Sequence, residues 1–164
     1  MQAVNPAAIS SRVVDRIIRR EQRVSALINI ALSAVFFLVV FGTDRRALQF
    51  GSTDNFALDF FVQASAIALM SALVPSLLVW TKLKKSGVLL TTAAGIGRNV
   101  ALVLVIGIAS AAMLAAGCLL GPWNGLEWFV ALAIKLAYGG ILGFVGTTVA
   151  LRRLLSRYRV EETV

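Results

Sequence analysis

The chain reads as an all-α integral membrane protein: a bundle of four spanning helices, both termini cytoplasmic, flanked by basic amphipathic interfacial helices. Three observations predict this class. Hydrophobic residues make up 59% of the 164 and charged residues only 15%, with a mean hydropathy of +0.84, too little charge for the surface of a soluble domain. Four apolar stretches, 24–42, 60–81, 99–121 and 128–151, each reach the length of about 20 residues that a helix needs to cross a ~30 Å hydrocarbon layer. Finally, thirteen of the sixteen basic residues fall on one side of these stretches, which the positive-inside rule makes cytoplasmic.

The chain accordingly divides into a cytoplasmic basic segment, 1–23, a four-span domain, 24–151, and a basic tail, 152–164. In the first segment, Val13, Val14, Ile17 and Ile18 form one stripe, Ser10 or Ser11 can cap the helix, and Arg12, Arg16, Arg19, Arg20 and Arg23 occupy much of the rest. Residues 9–23 should lie in the headgroup layer before the chain turns inward. Span 1 follows. Its end, Val40-Phe41-Gly42, could pass as a weak signal cleavage site, but a long basic stretch precedes the run and the run itself is long for a signal core. It is therefore expected to be a retained helix. Ser25, Asn29 and Ser33 recur along it at i, i+4, i+8, either as a polar lining or, more plainly, as interhelical hydrogen-bonding groups.

The loop 43–59 is polar and turns at Gly51-Ser52. Span 2 carries Pro75 near its middle, where a kink is expected because proline has no N–H. It exits through Trp80 and the basic group Lys82, Lys84, Lys85 and Arg98. Span 3 holds the lone cysteine, Cys118, as a small packing residue. The connection 122–127 is short, so spans 3 and 4 are expected to be antiparallel neighbours, with Gly125 out in the loop and tolerant of a side chain. Trp123 and Trp128 mark the outer interface. Span 4 exits through Arg152 and Arg153 into a tail with Leu151, Leu154, Leu155 and Tyr158 on one face. Basic residues beside an anionic leaflet gain roughly 1 kcal/mol each. Arg12, Arg16, Arg19, Arg20, Lys84, Lys85, Arg152 and Arg153 are thus the candidate lipid-headgroup contacts.

The two halves resemble one another. Asn29-Ile30-Ala31-Leu32 begins span 1 much as Asn99-Val100-Ala101-Leu102 begins span 3, and Asp59-Phe60-Phe61-Val62 opens span 2 as Glu127-Trp128-Phe129-Val130 opens span 4. A tandem repeat of a two-helix unit would produce this. So would the aromatic entry and basic exit common to any outside-to-inside helix. A repeat would relate the halves by an axis along the membrane normal.

Chemistry is sparse. The absence of histidine removes bis-histidine haem, most zinc sites and any Ser-His or Cys-His nucleophile pair. No Walker A, G-x-G-x-x-G or G-x-S-x-G pattern occurs, and Gly95-Ile96-Gly97-Arg98 is a junction rather than a phosphate loop. No metal, cofactor, nucleic acid or enzymatic activity is expected. Small residues dominate instead. Gly139, Gly143, Gly146 and Ala150 share one face of span 4, and Gly107, Ala111 and Ala115 share one face of span 3. Such ladders let backbones approach closely, and the two are expected to face each other.

Lys135 is the one charge inside a span. A lysine at a helix centre costs roughly 2.5–3.5 kcal/mol on the insertion scale, so it should face protein, within reach of Asp59 and Gln63 at the outer edge of span 2, or else snorkel to the outer headgroups. Lys135, Asp59, Gln63, Asn29 and Ser33 are the candidate intramembrane polar site.

Two functions fit: an accessory or scaffold subunit packing against other membrane proteins or against itself, and a small oligomeric transporter or channel with a polar site around Lys135. The expected location is the bacterial inner membrane. A membrane-impermeant thiol reagent should label a cysteine at Ser52 from the periplasm and leave one at Ser86 untouched; the reverse pattern would invert the orientation.

Overall fold

The computed structural model describes residues 6–85 and 93–161; the side chains of Arg12, Lys84 and Lys85 lie outside the described residues. The elements are α1 (Pro6–Phe41), β1 (Leu48–Gln49), α2 (Phe56–Lys85), α3 (Ala93–Leu120), β2 (Gly125–Leu126) and α4 (Trp128–Glu161). Each helix holds a segment long and apolar enough to cross a membrane: Ile18–Phe41, Phe56–Leu78, Gly95–Leu120 and Trp128–Arg153. The chain is thus an all-helical, four-span membrane protein.

The helices outrun the apolar stretches. Residues 9–23, expected as a separate surface helix, continue without a break into the first span. Ile18 and Gln22 explain the earlier start. Both are buried, and Gln22 donates to Thr148 Oγ1 on α4 at 2.6 Å, while Arg16, Arg19, Arg20 and Arg23 remain exposed. At the far end of α1, Gly42 adopts φ +73° and its N–H bonds Leu38 O at 3.0 Å, a left-handed helix stop that suits glycine.

Pairing of the helices differs from the expected 3–4 hairpin. α1 packs on α4, α3 packs on α2, and α2 runs alongside α4 at the centre. α3 touches α4 less than it touches α2, and α1 barely meets α2. The connection 121–127 is short, but it is spent crossing the bundle end, where β2 pairs antiparallel with β1, Leu48 opposite Leu126 and Gln49 opposite Gly125. A Cβ at Gly125 would collide with the Leu48 carbonyl. That position is therefore a close backbone crossing and not the tolerant loop site the sequence suggests.

A second clasp holds this loop end. The Arg46 guanidinium donates through Nη1 (2.9 Å) and Nη2 (2.5 Å) to the two oxygens of Asp54, which also accepts the Gln49 N–H at 2.9 Å. Those bonds hold the Asp54 carboxyl below the ordinary carboxylate range. A depressed carboxylate pKa contributes stability above its unfolded value and loses it as pH falls through the folded value, so the clasp persists at neutral pH and opens only in acid.

Beneath the clasp lies an aromatic core of Phe37, Phe41, Phe50, Phe56 and Phe60, with Leu48 fully buried among them. Adjacent rings sit 5.1–6.2 Å apart in tilted or edge-on geometry, as their quadrupoles prefer. Toward the terminal end the core narrows to Ala68, Ala72, Val103 and Ala150, where small side chains let α2, α3 and α4 converge.

Candidate functional site

The polar residues singled out in the sequence converge on the seam between α1, α4 and α2. Going from the terminal end toward the loops, Gln22 bonds Thr148. Ser25 Oγ then donates to Gly143 O at 3.2 Å, and Asn29 Nδ2 donates to Ser25 O at 2.8 Å. Gln63 Nε2 reaches across from α2 to Ser33 Oγ (2.7 Å) and Lys135 O (2.9 Å). At the top, Lys135 Nζ donates to Asp59 Oδ2 at 2.8 Å. Asn29, Ser33, Gln63 and Lys135 are all buried.

Glycines create this seam. A Cβ at Gly143 would lie 2.5 Å from Asn29 Nδ2, and one at Gly139 would collide with Ser33 Oγ. The α4 ladder therefore faces the polar stripe of α1 rather than α3. Gly146, the next rung, faces Ser71 of α2 and Val103 of α3. The α3 ladder is likewise turned to α2: a Cβ at Gly107 would sit 3.3 Å from Ala68 Cβ, and Ala111 and Ala115 pack in the core with Phe56 and Ala64. A ladder of small residues specifies closeness, not partner. The side-chain donors of α1 choose α4 because only a bare glycine face lets them reach the helix backbone, as Ser25 does at Gly143 O.

Lys135 illustrates how a charge is held at such depth. It lies about 10 Å inside Trp128 at 1.5 Å per residue. Asp59 lies near the N-terminus of α2, so the lysine stem climbs toward the loops to meet it. The ammonium also sits 3.8 Å from the Phe60 ring centroid and 4.9 Å from that of Phe56. The Lys135 side chain is 2% exposed and that of Asp59 is 17% exposed, so the carboxylate keeps a path to solvent and the ammonium keeps none. Two aromatic faces offset part of the ammonium's desolvation, and the positive end of the α2 dipole favours its partner, the Asp59 carboxylate.

The sequence did not show the role of Thr147. Pro75 lacks an N–H, so α2 cannot cap the carbonyl of Ser71 four residues earlier. Thr147 Oγ1 donates to that carbonyl at 3.2 Å and so binds α4 to α2 at the defect. The i−4 carbonyl of any intramembrane proline is the signal that could have pointed to such a donor. Thr147→Val is expected to cost about 1–2 kcal/mol in thermal stability, and to cost nothing once Pro75→Ala restores the N–H. Additive losses in the double variant would remove this account.

Three buried atoms have no hydrogen-bond partner among the described residues: Asn29 Oδ1, Gln63 Oε1 and Ser76 Oγ. Asn29 and Gln63 line a groove of about 110 Å³ between α1 and α2, together with Leu32, Ser33, Phe36, Ala66, Ile67 and Met70. Of the basic positions assigned to the membrane surface, Arg16, Arg19, Arg20, Arg152 and Arg153 are exposed.

This architecture defines a class: a four-helix membrane protein with a polar seam walled by glycine. No family model, curated protein or solved structure matches the chain.

Proposed function

We propose that the protein is a non-enzymatic accessory or scaffold subunit of the bacterial inner membrane, oriented with both termini in the cytoplasm. One observation carries this reading. The seam holding every singled-out polar residue is packed shut, with Gly139 and Gly143 against Ser33 and Asn29, while the groove on the outside of the bundle presents apolar surface. A closed polar seam beside an apolar outer groove suits packing against a neighbouring helix rather than a solute path. The flanking basic helix ends, with exposed Arg16, Arg19, Arg20, Arg152 and Arg153, suit anionic headgroups on the cytoplasmic leaflet.

A second reading, a small oligomeric transporter, rests on a different observation. Separate hydrogen bonds from Gln22 to Asp59 are spaced along nearly the length of the bundle. The helix pairing also suits a tandem repeat. Rotation that exchanges α1 with α3 and α2 with α4 maps the α1–α4 contact onto α3–α2 and leaves α2 beside α4. With an offset of 70 residues between spans 1 and 3 (103 − 33) and 68 between spans 2 and 4 (139 − 71), the Ser33–Gly139 approach has its counterpart at Val103 and Ser71, which both lie against Gly146. The polar site breaks this symmetry, because at the same offset Gln63 corresponds to Ala131.

Light scattering and native mass spectrometry after extraction in mild detergent separate the readings. A fixed complex with a larger membrane protein is the expected result. A ring of identical subunits would favour transport, and a stable isolated monomer would remove both.

A further inference from the structure

We infer that the terminal end of the α1–α4 seam binds one anionic phospholipid, its phosphate held between Arg19 and Arg23 of α1 and Arg152 of α4. This rests on the reading that the basic helix ends meet anionic headgroups, and it narrows that reading to a single site. All three side chains are exposed, and none makes a hydrogen bond or ion pair among the described residues. The bond from Gln22 to Thr148 fixes the register of the two helices there. Residue numbers rise along α1 as they fall along α4, from Gln22–Thr148 through Ser25–Gly143 to Ser33–Gly139, so the pair is antiparallel. Arg19 lies three residues before Gln22 and Arg152 four after Thr148, which sets both one turn past the bond, about 5 Å nearer the chain termini.

The same register sets their direction. At about 100° per residue, Arg19 is turned about 60° from Gln22, and Arg152 about 40° from Thr148. In an antiparallel pair those rotations carry both side chains to one flank of the seam. Arg23, next to Gln22, is turned about 100° toward that flank as well. Thr147 turns the other way and reaches Ser71 O, so α2 covers the opposite flank and leaves this one open. Three guanidinium groups side by side repel one another, and a phosphate offers oxygens that match their forked donors. The wall beneath selects the kind of phosphate. Ile30, Ile141 and Val145 continue the flank into the span and are 37%, 65% and 39% exposed. Ile30 and Ile141 lie about 12 and 11 Å past the Gln22–Thr148 bond. An acyl chain uses such an apolar strip, whereas a free phosphate or a polynucleotide does not.

Native mass spectrometry of the full chain in detergent, titrated with phosphatidylglycerol, tests the site. The wild type is expected to retain one such lipid and to prefer it about tenfold over phosphatidylcholine with the same chains, with inorganic phosphate failing to displace it. Arg19→Gln combined with Arg152→Gln should weaken binding by about tenfold. Arg20→Gln combined with Arg98→Gln removes the same charge elsewhere, since Arg20 is turned about 160° from Gln22 and Arg98 lies on α3. That pair should weaken binding by no more than about twofold. Thermal unfolding shows whether each variant has folded, and Arg152→Gln alone carries the comparison if the first pair has not. Equal losses in the two pairs would mean diffuse attraction, which overturns the site and leaves the helix-end reading standing. Displacement by inorganic phosphate would assign the arginines to a soluble anion and overturn the lipid. Equal binding of phosphatidylcholine removes both the site and the helix-end reading, while the accessory role still stands or falls on the larger complex.

Discussion

Asp59→Asn is expected to be the most damaging single substitution in the seam, costing about 3–5 kcal/mol, because it leaves a buried ammonium without its carboxylate. Lys135 is 2% exposed in its side chain and has no route to water, so the two phenyl rings cannot replace the lost charge. The converse change, Lys135→Met, should cost less. Asp59 is 17% exposed and lies near a helix N-terminus, which favours a carboxylate even without its partner. Combining Lys135→Met with Asp59→Leu should recover most of the loss, since an apolar pair of similar volume replaces a buried ion pair at little net cost. Thermal or detergent-titration unfolding of the wild type, Lys135→Met, Asp59→Leu and their double variant measures the coupling. Effects that add within ~0.5 kcal/mol would show the pair does not interact energetically. Retained stability with lost partner binding or transport would instead mark the pair as functional.

Gly143→Leu is expected to cost about 1–3 kcal/mol or to prevent assembly of the bundle. Its first added carbon would meet Asn29 Nδ2 at 2.5 Å and Asn29 Cβ and Cγ at 3.0 Å. Separating α1 from α4 would also break the Ser25 bond to Gly143 O and strip donors from a buried backbone. Gly117→Leu, on α3, is the matched control. Nothing lies within 4 Å of a Cβ there, and the change should fall within about 0.5 kcal/mol. Equal tolerance at both positions would place the α4 ladder against lipid and dismantle the seam described here.

Much of the site was legible because burial of a charge in hydrocarbon is expensive enough to leave a mark in composition. Lys135 is conspicuous as the one charge in a span, and counting residues from Trp128 and Phe56 brings Asp59 within reach of its stem. Ser25, Asn29 and Ser33 announce a polar face by their spacing. What that spacing does not carry is the identity of the facing helix. Gly107 and Gly143 look complementary in one dimension, yet the structure sends the first to α2 and the second to α1. Gly125 misleads for a related reason: a loop glycine looks permissive until a second loop, far away in sequence, is laid across it.

The sequence by itself determined the class of this protein. Four apolar lengths match a bilayer, and the free energy of exposing backbone to lipid leaves helices as the only form such lengths can take. It also determined which residues would be costly in that setting. Only the tertiary structure decided how the helices pair, which places Asn29 and Gln63 together on an outward groove and Thr147 over the carbonyl that Pro75 abandons. The physical reason is that lipid is as apolar as leucine, so hydrophobicity commits each helix to the membrane without telling it which neighbour to choose. That choice falls to close approach and to a few hydrogen bonds, whose partners become adjacent only after the helices have packed.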